Sequence, residues 1–197
     1  MKQINAYKYS MKNIKNFINE RLHITSKQQY SCQPTTKEEL QKIIIQRIHD
    51  EGLECDLNDI DVSKITSMLY LFSANSVING NKIFKDFNGD ISQWNVSNVK
   101  NMSGMFNYCN QFNCDISSWD VSHVTNMKFM FYWCEQFNCD ISKWDVSNVT
   151  HMNGMFSNCY RFNCDISRWN VSNVEDMTNA FEKCRTIPEW YDKDKWE

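Results

Sequence analysis

The side chains of this chain with chemical potential recur in register. Cys109, Cys134, Cys159 and Cys184 form one column at 25-residue intervals, and Cys114, Cys139 and Cys164 form a second. Together they make C-x₄-C pairs at Cys109/Cys114, Cys134/Cys139 and Cys159/Cys164, a spacing that invites zinc or one disulfide per repeat. Three features argue for the plainer role of a small thiol packed in a tight column. Cys184 has no mate, Gly89 fills the second column in the first copy, and no ordered histidines follow the pairs. Asp90, Asp115, Asp140 and Asp165, beside Asn88, Asn113, Asn138 and Asn163, make polar ladders that could attract calcium. The calcium-binding β-helix repeat requires glycine-rich turns, though, and the whole chain has five glycines. Asx side chains that satisfy loop backbone are the preferred reading.

Trp94, Trp119, Trp144 and Trp169 could stack sugars if they were exposed. Each alternates with polar neighbours and shares its phase with valine, so all four are predicted to point inward. Catalysis finds no support. His23, His49, His123 and His151 occupy unrelated positions, no Ser or Cys stands apart from its ladder, and phosphate-cradling glycine loops are absent. The chain therefore reads as no enzyme, with no cofactor and no metal centre.

These ladders exist because the chain repeats. The copies begin FNGDISQWNVSNV at Phe87, FNCDISSWDVSHV at Phe112, FNCDISKWDVSNV at Phe137 and FNCDISRWNVSNV at Phe162, each 25 residues after the last. Such a period is the mark of stacked units that bury apolar faces against one another. Residues 56–72 align with 90–106 at an offset of 34, which adds a degenerate first turn. An insertion over 73–86 with an Asn79-Gly80 turn signal accounts for the extra length. Five turns then span 53–186, followed by a C-terminal cap or tail over 187–197. Within a repeat, Trp94 and Val96 alternate with polar residues, which predicts a short strand. Val99, Met102, Met105, Phe106 and Cys109 follow at helical spacing, which predicts a short helix or 3₁₀ turn. The predicted fold is an α/β repeat solenoid, leucine-rich-repeat-like, with short parallel strands on one face and short helices on the other.

Two N-terminal helices are predicted to cap it. Ile4, Tyr7, Met11, Ile14 and Ile18 give an amphipathic arm within a 1–33 segment that ends in a linker. A capping helix over 34–52 is signalled by Thr36 with Glu39, by Leu40, Ile43, Ile44 and Ile48, and by Gly52 as its stop.

The order of apolar sites, Ile91-x-x-Trp94-x-Val96-x-x-Val99, is close to a leucine-rich pattern, and the recurring FN-x-DIS-x-W-[DN]-VS-x-V core resembles the BspA-like repeat family over roughly 36–185. The resemblance implies a repeat scaffold like those of bacterial surface proteins and large DNA viruses, with adhesion or protein interaction as the usual inference.

Positions that differ between copies are free to specify a partner. Column 108 reads Tyr108, Trp133, Asn158, Lys183; column 110 reads Asn110, Glu135, Tyr160, Arg185; column 93 reads Gln93, Ser118, Lys143, Arg168. Exposed Tyr, Trp and Arg are enriched in interaction hot spots. The predicted partner site is Tyr108, Trp133 and Tyr160 on the loop edge, with Lys143 and Arg168 across the strand face. Metal binding through the C-x₄-C pairs or Asp ladders, and a carbohydrate-binding or adhesion module, are the alternatives. With 21 Lys+Arg against 24 Asp+Glu and no dense basic run, nucleic-acid binding is disfavoured. No stretch approaches a membrane span and the N-terminus lacks the apolar core of a secretory signal. The expectation is a cytoplasmic monomer (in the host cytoplasm for a viral source) that binds an unidentified protein partner.

Overall fold

The computed structural model describes residues 30–74 and 83–196. The amphipathic arm expected before residue 30, and the Asn79-Gly80 turn, lie outside the described residues. Helix α1 spans Lys37–Glu51. The Thr36 hydroxyl accepts from the Glu39 N–H at 3.2 Å. The Glu39 carboxylate reaches back to the Thr35 N–H at 2.9 Å, one residue earlier than a strict capping box. Leu40, Ile44 and Ile48 are buried, and the Gly52 N–H closes the helix on the Ile48 carbonyl at 2.9 Å. Polar ties seat α1 on the first turn: Gln41 Nε2 donates to the Leu71 carbonyl at 2.8 Å, and Arg47 pairs with Asp59 and donates to the Asp56 carbonyl at 3.3 Å.

The α/β solenoid predicted for 53–186 is not what forms. Among the described residues there is no sheet, only isolated parallel bridges such as Asn101 to Asn126 and Asn126 to His151. The helices among the described residues are α1 and the four-residue α2, Lys193–Trp196, and neither belongs to a repeat. Each repeat is a chain of tight turns. Trp94 N–H donates to the Ile91 carbonyl at 3.2 Å and Val99 N–H to the Val96 carbonyl at 2.8 Å. In-and-out alternation therefore comes from consecutive corners, not from a pleat. The expected helix fails for a backbone reason. Position 104 (φ 61°) and position 108 (φ 62°) both take the left-handed conformation, and one such residue in four stops helical propagation. Overlapping turns, Met105 to Met102, Asn107 to Gly104 and Cys109 to Phe106, reproduce the three-four burial pattern of a helix without being one.

Asx turns make the corners. Asp115, Asp140 and Asp165 each accept the N–H of the serine two residues on, at 3.0 Å. Asn95, Asp120, Asp145 and Asn170 do the same at a second corner, and Asn101, Asn126 and Asp176 at a third. The Asp ladder that could have suggested calcium closes turns instead, and the Asn ladder beside it bonds the neighbouring repeat.

The repeats stack through alternate amides. Met102, Gly104, Phe106 and Tyr108 donate to the carbonyls of Asn126, Lys128, Met130 and Tyr132 at 2.8–2.9 Å, and the same four positions repeat this in the next turns. On the opposite face side chains bridge instead: Asn113, Asn138 and Asn163 N–H each donate to the Oδ1 of the Asn one repeat earlier, at 2.7–2.8 Å. Two phenylalanine ladders fill the axis. Phe72, Phe106, Phe131, Phe156 and Phe181 follow at centroid spacings of 5.4, 5.6, 5.7 and 5.5 Å. Phe87, Phe112, Phe137 and Phe162 follow at 6.5, 6.2 and 6.1 Å. The turns sit closer on the face with backbone bonds than on the face with side-chain spacers, so each turn is a shallow wedge.

Candidate functional site

The chemistry-bearing ladders are occupied with structure. Trp94, Trp119, Trp144 and Trp169 are 3–6% exposed, which removes them as sugar platforms. Each indole N–H donates to a carbonyl of the preceding turn, as in Trp119 to Ile91 and Trp144 to Ile116, both at 3.2 Å. Cys109, Cys134, Cys159 and Cys184 thiols donate to the carbonyls of Phe72, Phe106, Phe131 and Phe156 at 2.8–3.0 Å. Burial pushes the Cys109, Cys134 and Cys159 thiols well up and Cys184 to about 12. In the second column, burial raises Cys139 and Cys164 to about 11. All nine cysteines are free thiols. The partners of a C-x₄-C pair do not converge: Cys109 turns into the core, while Cys114 contacts Asp115 and Asp90. Among the described residues no three His, Cys, Asp or Glu side chains gather to hold a metal ion.

The aromatic residues that vary between copies do come together. Tyr108 stacks on Trp133 with centroids 5.9 Å apart and planes 12° apart. Trp133 meets Tyr160 edge-on at 6.1 Å. Tyr132, which the sequence reading missed, sits edge-on to Tyr108 at 5.3 Å and to Phe129 at 5.4 Å. Tyr160 is 44% exposed, and Tyr108, Tyr132, Phe129 and Trp133 are half-buried. These rings form one surface ridge over three successive turns. The missed pair was legible in principle, because Phe129 and Tyr132 are the aromatic members of columns where the other 25-residue copies carry Gly104, Gly154, Asn179 and Asn107, Ser157, Glu182.

Backbone geometry separates two parts of this ridge. Tyr70 and Phe129 are left-handed (φ 53° and 55°), and their rings cover Gly104 and Gly154 of the following turns. A Cβ on Gly104 would lie 2.1 Å from Tyr70 Cε1, and one on Gly154 would lie 2.3 Å from Phe129 Cδ1. Large and small residues thus alternate down this column for packing. Tyr108 (φ 62°) and Trp133 (φ 59°) are also left-handed, but Asn158 and Lys183 stand next in their column and no glycine lies beneath them. A bulky side chain there costs about 1–2 kcal/mol relative to glycine.

Lys143 and Arg168 belong elsewhere. Both are exposed, on corner turns with no strand beneath them. They line a shallow groove of about 510 Å³ with Asn138, Asp140, Ser142, Asn163, Cys164 and Asp165, a lining that includes none of the aromatic rings. The five-residue site read from the sequence therefore divides into an aromatic ridge and a polar groove.

No described helix is long and apolar enough to cross a membrane. Residues 80–196 match the family model described as Mycoplasma protein of unknown function, DUF285. That match covers more than half of the chain, so the protein belongs to the DUF285 family. No curated protein and no solved structure matches it.

Proposed function

We propose that this chain is a non-catalytic repeat scaffold that engages a protein partner through the ridge of Tyr108, Trp133 and Tyr160. The observation that carries this reading is the run of aromatic rings Tyr108, Trp133 and Tyr160, in contact across three turns and partly in solvent, the first two on left-handed backbone. Left-handed backbone in this column suits Asn, as at Asn158, yet two turns hold large aromatics there, half out in solvent. Residues held in sparsely populated backbone regions cluster at functional positions. The rings are rigid, broad and amphipathic, the properties of interface anchors. The resemblance of the repeat to BspA-like chains leans the same way, and nine unpaired thiols suit a reducing compartment.

The test is affinity capture from source-cell lysate with the parent chain and with a Trp133→Ala/Tyr160→Ala variant. Both are first shown to unfold at the same urea midpoint to within about 1 M, the scale set by m-values. A partner retained by the parent and lost by the variant supports the ridge. Equal capture by both assigns binding to another face and overturns it.

A further inference from the structure

The ridge does not end in neutral surface, and its far end specifies the kind of partner it fits. Below Tyr160, the next turn places Arg185 in the same column, with Arg161 adjacent in sequence to Tyr160 and Lys183 below Trp133 and Asn158. All three cations are exposed. Lys183 reaches the Glu182 carboxylate at 3.8 Å, whereas Arg161 and Arg185 have no ion-pair partner among the described residues. This basic spot interrupts an acidic body: residues 53–197 hold 12 Lys/Arg against 19 Asp/Glu.

Backbone polarity points the same way. Tyr108, Trp133 and Asn158 each donate their N–H to the turn that follows, at 2.8, 2.9 and 2.8 Å. Lys183 occupies the same position in the last of the described turns. The C-terminal segment replaces one ladder bond, Asn179 N–H to the Trp196 carbonyl at 2.9 Å, and it repeats the tryptophan ladder through Trp190 Nε1 to the Ile166 carbonyl at 3.1 Å. The Lys183 N–H has no acceptor among the described residues. An amide donor two residues from Arg185, in the column next to that of Tyr160 and Arg185, is a place for a carboxylate.

We infer that the ridge binds an acidic peptide segment, its apolar side chains on Tyr108, Trp133 and Tyr160 and its carboxylates at Arg161, Arg185 and the Lys183 amide. This rests on the aromatic ridge as the partner site and adds its charge preference. Aromatic anchors supply contact area, and the cations select sign and register.

The experiment is fluorescence anisotropy on the full chain with three labelled synthetic peptides of about nine residues. They share a Leu-Phe-Leu core and end in three Glu, three Gln or three Lys. We expect the Glu peptide to bind at least about tenfold more tightly than the Lys peptide, with a gap that closes as salt rises from about 50 to 500 mM. Arg161→Glu/Arg185→Glu, at exposed positions, should remove or reverse that gap. Trp133→Ala/Tyr160→Ala should weaken all three peptides. Equal affinity for the Glu and Lys peptides, lost in the alanine variant, overturns the acidic preference and leaves the ridge standing. Binding of no peptide, or binding indifferent to the alanine variant, overturns both.

Discussion

The packing of Phe129 over Gly154 gives the sharpest test of how these turns stack. In Gly154→Ala the new methyl meets two opposed demands. Its backbone is left-handed, at φ 61°, which costs a non-glycine residue about 1–2 kcal/mol. Its Cβ would also stand 2.3 Å from both Cδ1 and Cε1 of Phe129, so the ring must leave. Displacement forfeits its contacts with Tyr132 at 5.4 Å and Lys128 Nζ at 5.1 Å and forces a poorer rotamer, together about 1.5 kcal/mol. The single variant should lose about 3 kcal/mol. Phe129→Ala, which removes a half-buried ring, should lose about 1. In the double variant the ring is already gone and only the backbone penalty is added, for a total of about 2.5 against an additive sum of about 4. Urea denaturation of the four chains measures the coupling, with m constant across the set. Additivity to within about 0.5 kcal/mol would show that the ring does not sit on Gly154 and refute the reasoning.

Trp144→Phe keeps an aromatic in the core but leaves the Ile116 carbonyl without its indole donor at 3.2 Å; we expect a loss of about 1–3 kcal/mol in urea, and a loss below about 0.5 would show that the ladder bond contributes nothing. Trp133→Asn should be more stable than Trp133→Ala by about 1 kcal/mol, because Asn tolerates the left-handed backbone as Asn158 does; equal stabilities would remove the strain argument. Both variants should lose the partner, so recovered stability will not recover binding. Stability should be flat from about pH 5 to 8 and fall on both sides. Hydrogen bonds from Ser117, Ser142 and Ser147 hold Asp115, Asp140 and Asp145 below their ordinary range, so that contribution is present above the unfolded value near about 4 and disappears as pH falls through the folded ones. Burial holds Cys139 and Cys164 at about 11 and Cys184 at about 12, so above about 8.5 only the unfolded chain gains thiolate and stability drops with rising pH. A urea midpoint that holds past about pH 10 would contradict the burial of these thiols.

The 25-residue register, α1 with its cap, the inward tryptophans and the packed thiols were all legible, because each depends on side-chain type at fixed spacing. The secondary structure of the repeat was not. Val99, Met102, Met105, Phe106 and Cys109 carry a helical spacing, and Trp94 and Val96 carry a strand spacing. Both patterns report only which residues face the axis, and a run of turns satisfies them as well as a helix or strand does. The decisive signal was a different one: Asx recurring in register at two corners of every turn, and at a third corner in the turns that carry Asn101, Asn126 and Asp176. Left-handed backbone at Tyr108 and Trp133 carries no sequence mark at all, since neither residue is one that favours it.

The two faces of each turn also explain why a partner site would gather where it does. Main-chain bonds fix the ladder from Met102 to Tyr108, so side chains at its end are held in rigid register from one turn to the next. Across the axis the turns are joined through Asn side chains and sulfur contacts, at the wider phenylalanine spacing. That face repeats faithfully because its polar side chains are the joints, and changing one unpairs an amide in the neighbouring turn. At column 108 the turns are joined by the backbone N–H, which any residue but proline supplies. Tyr108, Trp133, Asn158 and Lys183 can therefore differ without loosening the stack, and a chain that stacks identical turns has its freedom to distinguish partners at that edge.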